Sequence, residues 1–306
     1  VTLHINKADV LSSVAVKALG LDASPHPGFP TAAAVAAFSS AVEAGDLQLA
    51  SLGSMLGTTT RTKSSARDLV TEIDVASERL ITASLRAAAP DYTIQGEEEA
   101  MDEESDAPRW YVDPLDGTVN YVHGIPMFAV SIALYAGPAS PGAPRDPLLG
   151  IVHAPKLGET FVAAKGRGAF LLESADPTIR APKAQPLQVS SPDGLASAVL
   201  ATGFPYRRNE LPNSNLGNFN ALFYEMQGVR RMGAAALDLA YVAAGRLDGY
   251  WELHLGAHDL AAGALLVMEA GGKVTDTAGG DTWLATGRMV AAPESVATPL
   301  CGLLRS

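Results

Sequence analysis

The stretch whose reading decides the fold is Trp110-Tyr111-Val112-Asp113-Pro114-Leu115-Asp116-Gly117-Thr118-Val119-Asn120. Three apolar residues lead into Asp113, the pattern of a buried strand running out at its C-terminal edge. Pro114 brings no N–H to a ladder, and Asp116-Gly117 supplies a tight turn. The reading predicts a strand that stops at Asp113 and a short kinked loop on which both carboxylates face one point. Two carboxylates that close repel each other unless a cation lies between them, and a hard divalent ion suits them. Gly117-Thr118 falls where a helix can begin, with backbone N–H groups and a hydroxyl to offer an anion. The competing reading is a surface turn with two solvated aspartates, and the stretch alone favours neither.

Upstream, Tyr92–Gln95 reads as a short strand, with Gly96-Glu97-Glu98-Glu99 at its C-terminal end. Acid runs usually mark a solvated face, but this one ends a strand just before the Asp113 strand. Carboxyl ends of neighbouring strands are where open α/β sheets place their sites. Asp68-Leu69-Val70-Thr71-Glu72-Ile73-Asp74 opens a helix, and acids in its first turn suit the macrodipole. Capping is a complete structural explanation for Asp74. Residues 31–56 set Val35, Phe38, Val42, Leu49, Leu52 and Leu56 on one amphipathic face. Lys63 lies in a small, polar segment that composition alone reads as a solvated loop. Residues 1–30 form an N-terminal extension of unknown role, with a helix within 3–19 and a break at Ser24–Pro30.

Downstream, 127–135 reads as a central strand and 137–147 as an exposed loop. Segments 148–153, 159–165 and 169–172 read as antiparallel strands, with a loop at 173–185. Strands are expected at 187–190, 198–202, 228–233, 247–252, 273–275 and 288–292, and helices at 215–227 and 234–244. Glu252 ends one of these strands. Asp259 stands at the start of a buried helix, where an N-cap needs no function. The expected organisation is a phosphatase-like unit over 31–306, divided into a metal-binding half, 31–185, and a substrate-side half, 186–306.

The 306 residues carry a formal charge of −11, with 47% hydrophobic residues. That balance argues against a nucleic-acid or anionic-membrane binder, though not against an anionic substrate, because bound cations invert a local field. The single cysteine, Cys301, excludes an intramolecular disulfide and a multi-cysteine zinc site. It fits a reducing compartment, so a cytoplasmic location is expected. A processed targeting segment at the N-terminus would instead mean a plastid stroma or another organelle. No apolar run spans a bilayer.

Glu97, Asp113, Asp116 and Asp259 all sit at element ends, and together they shift the balance towards a site. Magnesium takes carboxylates, a backbone carbonyl and waters, and Leu115 C=O lies between two of the aspartates. Asp113-Pro114-Leu115-Asp116-Gly117-Thr118 with Asn120, and Gly96-Glu97-Glu98 upstream, resemble the signatures of the inositol monophosphatase family, magnesium-dependent and lithium-sensitive phosphatases. Asp68–Asp74, Asp259–Gly263 and Glu269–Gly272 resemble its other conserved segments, in family order from about Lys63 to Val274. Pattern alone suggests a doubly wound sheet, whereas the resemblance implies a layered α/β/α/β/α sandwich.

Carried over, the resemblance puts Glu97, Asp113 and the Leu115 carbonyl on a first Mg2+. Asp113, Asp116 and Asp259 would hold a second, with a looser third ion near Glu97. It makes Asp74, Glu97 and Thr118 catalytic, Thr118 paired with Asp74 to orient the attacking water. Asp116, Gly117, Thr118, Ala235, Glu252 and Asp259 would bind substrate, with Gly117 and Thr118 N–H groups on phosphate and Glu252 on hydroxyls. Lys63 would belong to a mobile loop. His258 replaces the family's tryptophan, and Asp238 resembles the bacterial and plastid-like members. The implied function is hydrolysis of a small polyol phosphate monoester, inositol monophosphate first, by a homodimer. The alternatives are histidinol phosphate or another sugar or nucleotide phosphate, and more remotely a non-catalytic sugar-phosphate or protein binder.

Overall fold

The computed structural model describes residues 6–52, 61–62, 69–140, 142–173 and 182–305. The helices are α1 (Lys7–Ala18), α2 (Thr31–Leu52), α3 (Glu72–Ala88), α4 (Thr118–Val122), α5 (Leu216–Leu222), α6 (Ala235–Ala243), α7 (Ala257–Glu269), α8 (Trp283–Thr286) and α9 (Glu294–Leu303). A two-stranded ribbon pairs β1 (Arg61–Thr62) with β2 (Leu69–Val70). A seven-stranded sheet runs in sequence order through β3 (Thr93–Gly96), β4 (Arg109–Asp116), β5 (Ala129–Tyr135), β6 (Pro147–Ala154), β7 (Glu159–Ala164), β8 (Ala169–Glu173) and β9 (Lys183–Pro186). Only its β3–β4 pair is parallel. The five-stranded sheet comprises β10 (Val199–Thr202), β11 (Gly228–Arg230), β12 (Gly249–Glu252), β13 (Lys273–Thr275) and β14 (Met289–Ala292), in the order β11-β10-β12-β14-β13.

Alternation along the strands stacks these elements into five layers. On β5, Val130, Ile132 and Leu134 join a core with α1, α2 and α3, while Ala129, Ala133 and Tyr135 join one with α6 and α7. Ala201, Tyr250, Met289 and Ala291 of the second sheet close that inner core from its far side. Leu200, Trp251, Val290 and Ala292 turn the other way, onto α5 and α9. The result is an α/β/α/β/α sandwich, not the doubly wound sheet that pattern alone suggests. Antiparallel neighbours along most of the first sheet leave no repeated crossover helices.

The sequence reading is corrected in five places. Strand β4 does not stop at Asp113; it continues to Asp116 through an irregular register. The buried side of α2 is built by Ala33, Ala34, Ala37, Ala41 and Ala44 with Phe38 and Val42, while Val35 is exposed. Alanines pack there because α2 lies close to both α1 and α3. Segment 187–190 is no strand, although the Val189 N–H reaches the Ala270 carbonyl. The helix expected over 215–227 covers only Leu216–Leu222, and β9 occupies the end of the loop expected at 173–185. Among the described residues no helix is long and apolar enough to cross a membrane.

Candidate active site

Asp113 pairs with Ser131 across the β4–β5 ladder, and Asp116 pairs with Ala129. Three steps on β4 therefore oppose two on β5, which is a bulge of one extra residue. Strict alternation would send residues three apart to opposite faces. The bulge at Pro114-Leu115 restores Asp113 and Asp116 to one side. Asp113 steadies it by accepting the Leu115 N–H on Oδ1 at 3.0 Å. Gly117 follows at φ +90°, and a Cβ there would lie 2.8 Å from the Met127 carbonyl, so only glycine makes this turn.

Each aspartate is then fixed by backbone. Asp116 accepts the N–H groups of Ala235 (3.1 Å) and Ala236 (2.7 Å) at the start of α6. Asp259, in the first turn of α7, accepts the Gly256 N–H at 2.6 Å. Oxygens of Asp113, Asp116 and Asp259 all lie within 4.8 Å of one another. Glu97 follows β3 and hydrogen-bonds to Asp113. Burial raises the Asp113 carboxyl well above its ordinary range, and Glu97, Asp116 and Asp259 add to the shift. Burial, and then Asp259, push Asp116 up to about 8. Among the described residues neither Asp113 nor Asp116 forms an ion pair with a lysine or arginine. Hard oxygen donors with raised pKa values and fixed orientation fit a divalent cation such as magnesium.

Asp74 is fully buried, and its two oxygens do different jobs. Oδ2 accepts the Thr71 N–H (2.9 Å) and hydroxyl (2.5 Å), which closes the N-terminus of α3. Oδ1 lies 2.9 Å from Thr118 Oγ1. The capping explanation is therefore true of one oxygen only. Thr118 Oγ1 also lies 3.1 Å from the Leu115 carbonyl. Its one proton can serve either acceptor, and donation to Asp74 leaves Leu115 C=O free to act as a ligand. Burial raises the Asp74 pKa despite the bonds from Thr71 and Thr118.

Glu97, Asp116, Asp259, Ala235, Asp238 and Glu252 are among the residues lining one cavity of about 250 Å³. Glu252 ends β12 and accepts the Tyr250 hydroxyl at 2.5 Å. Its carboxylate crosses over Gly203, where a Cβ would meet Oε2 at 2.1 Å. Burial pushes Glu252 up to about 7, against the Tyr250 bond and the Arg231 charge. Asp238 also lines the cavity, is buried, and has no hydrogen-bond partner at Oδ1. His258 lies on the same wall, its Nε2 3.8 Å from Asp259 Oδ2. Lys63 lies outside the described residues.

The sequence reading passed over several residues of this region, Tyr206, His254 and Glu78 among them. Tyr206 and His254 line the cavity, and neither carries a spacing that would announce it. Glu78 accepts three backbone N–H groups from the Glu97 loop. The readable trace of Glu78 was its place one helical turn after Asp74.

A five-layer sandwich with acids converging between its sheets defines a class, and comparison with known proteins gives it a family. The sequence profile of the inositol monophosphatase family matches residues 31–305, and the chain belongs to that family. It is 45% identical to the Nus factor SuhB of Pseudomonas aeruginosa over 232 residues, 74% of this chain and 79% of that protein. It is 42% identical to an inositol-1-monophosphatase of Rhizobium meliloti, over 76% of this chain and 81% of the relative. The solved structure of the extragenic suppressor protein suhB from Bartonella henselae superposes with a TM-score of 0.76. That match is at 37% identity and covers 89% of this chain and 97% of the other.

Proposed function

We propose that this chain is a magnesium-dependent phosphatase of small polyol phosphate monoesters, with inositol monophosphate as its first substrate. The observation that carries the reading is the meeting of Asp116, Asp259 and Glu97 with Glu252 in one cavity. One end of a substrate can then face carboxylates suited to a cation while its hydroxyls face a carboxylate that accepts hydrogen bonds. Glu97, Asp113, Asp116, Asp259 and the Leu115 carbonyl would hold two or three Mg2+. Bound ions supply Lewis-acid stabilisation of the phosphate charge and lower the pKa of a water.

The residues do the rest. Asp74 fixes the Thr118 hydroxyl, which orients the water for attack in line with the leaving oxygen. Gly117 and Thr118 N–H groups hold the phosphate oxygens, and Ala235 and Glu252 hold the polyol. Asp116 serves substrate and cation sites together, because its carboxylate is locked against α6.

Relatives carry both the phosphatase name and the Nus factor name, so activity has to be measured on this protein. A panel of inositol monophosphate, histidinol phosphate, galactose 1-phosphate, fructose bisphosphate, a nucleotide 3′-phosphate and NADP, assayed for phosphate release with Mg2+, tests the reading. Inositol monophosphate should give the highest kcat/KM. A faster histidinol phosphate would move the substrate within the family, and release from none of them would end the enzymatic reading. We also propose a homodimer. Sedimentation at micromolar concentration should show twice the 31.7 kDa chain mass, and a single monomeric species would rule it out.

A further inference from the structure

Glu78 is a carboxylate only 1% exposed. It lies on α3 four residues after Asp74, on the same helical face. Its acceptors are spent on three successive backbone N–H groups. Oε2 takes Glu98 at 2.8 Å, and Oε1 takes Glu99 at 2.6 Å and Ala100 at 2.7 Å. Gly96 lets the carboxylate come this close, since a Cβ there would stand 2.2 Å from Oε2. The loop is closed on itself by the Gly96 N–H, 2.6 Å from the Ala100 carbonyl. Gly96 in turn registers with Val112 in the parallel β3–β4 pair, so the next residue, Glu97, falls beside Asp113.

We infer that Glu78 is a positioning residue for the cation site, holding the 96–100 loop so that Glu97 meets Asp113. This rests on the metal-dependent reading above. Through Asp74 and Glu78, one face of α3 sets both the Thr118 hydroxyl and the Glu97 carboxylate. The two parts of the site are thereby kept in register by a single helix. A carboxylate suits the task because all three partners are donors, and an ionised carboxylate offers only acceptors. An amide must present its own N–H groups to at least one of those donors.

The test is cation affinity in the whole chain without substrate, using Mn2+ alone as the probe and its paramagnetic resonance signal as the readout. Groups that orient metal ligands typically change affinity by about 10- to 100-fold when lost. Glu78→Gln should therefore raise the Mn2+ dissociation constant at least about tenfold while the folded protein persists. Gly96→Ala gives a second approach, because it crowds the Glu78 carboxylate without removing any charge. It should weaken Mn2+ in the same direction, and the double variant should add little to the larger single effect. Wild-type affinity within twofold in both single variants would overturn the assignment, even if both melt earlier. If neither variant folds, the tie serves the fold and the assignment falls. If the wild type itself binds no Mn2+, the metal-dependent reading fails first, and this inference goes with it.

Discussion

The acids around β3 and β4 form two groups only a few residues apart, and the two behave oppositely. In the connecting loop, Glu99 is held below its ordinary range by hydrogen bonds from Arg79, and Asp102 by Arg86. Glu104 of the same loop bridges two buried arginines, Arg109 at 2.6 Å and Arg145 at 2.7 Å. At the carboxyl ends of the strands, Asp113 and Asp116 are both raised, first by burial and then by neighbouring carboxylates. Residue type and sequence neighbourhood are nearly the same. What separates a solvated, structural acid from a site is burial together with the sign of the neighbouring charge. Arginines satisfy the first group, whereas the second is a cluster of buried carboxylates that could hold a cation.

The largest effect expected is that of Asp113→Asn. It should lower turnover at least about 10³-fold, a loss of roughly 4 kcal/mol of transition-state stabilisation. In chelator the variant should melt no earlier than wild type, because a buried repulsion has been removed. A rate above about a tenth of wild type would erase the distinction between the two groups. Asp102→Asn, from the arginine-paired group, should keep turnover within about twofold.

Ion removal sharpens the same contrast. Saturating Mg2+ should raise the midpoint of thermal unfolding, with stability increased by about 2.7 kcal/mol at a hundred times the dissociation constant. Asp113→Asn should lose most of that gain, and Asp102→Asn none of it. Lithium should inhibit wild-type turnover at tens of millimolar. Unchanged melting with and without Mg2+ would count against the cation site.

Dependence on pH separates the groups by sign. Asp116 has a raised folded pKa, so in chelator its contribution is fully present below about pH 4 and is lost as pH rises towards about 8. For Asp102 the folded pKa is lowered, so its contribution is present at neutral pH and is lost as pH falls through the acid range. Metal-free Asp116→Asn should therefore gain on wild type as pH rises from 4 to 8, by on the order of a few kcal/mol. Asp102→Asn should fall behind wild type at pH 7 and converge with it in acid. Chemical denaturation at several pH values reads both. A difference between wild type and Asp116→Asn that stays constant with pH would show that Asp116 is not under the strain of its neighbours.

How far this contrast could be read beforehand depended on where each partner lies. Asp113, Asp116 and Asp259 were legible because a proline, a glycine and a helix start mark their places locally. The bulge that turns Asp113 and Asp116 to one side was not legible, since it is a mismatch with β5 and β5 is a separate segment. From its own segment Asp74 read as a cap, because its second job requires Thr118, 44 residues away, and that pairing came from the family resemblance. Glu78 was missed for a stronger reason. Its partners are three backbone N–H groups, which every sequence has, so an acid in mid-helix looks like a solvated face. The buried side of α2 was misassigned because closely packed helices select alanine, which carries little periodic signal, while Val35 points outwards. The layer order was beyond local pattern altogether, and it came from the family resemblance.

The smallest expected effect tests the one cavity acid assigned to substrate rather than to cations. Glu252 ends β12, takes the Tyr250 hydroxyl, and lies against Gly203, all of which fix its carboxylate in place. One acceptor direction is used by Tyr250, and the remaining lone pairs are available to hydroxyls of a bound polyol. Glu252→Gln keeps the volume and one carbonyl acceptor but replaces the rest with donors. The expected cost is roughly 1–3 kcal/mol in kcat/KM for inositol monophosphate. For 4-nitrophenyl phosphate, which has no hydroxyls to read, the same change should cost little. The pH dependence adds an independent check. With Glu252 pushed up to about 7, the wild type carries the neutral acid at pH 6 and the carboxylate at pH 8. The gap between wild type and Glu252→Gln on the inositol substrate should therefore be wider at pH 8 than at pH 6. Equal losses on both substrates would mean that Glu252 supports the cation site or the fold and does not read the substrate, which would move it into the group with Asp113 and Asp116.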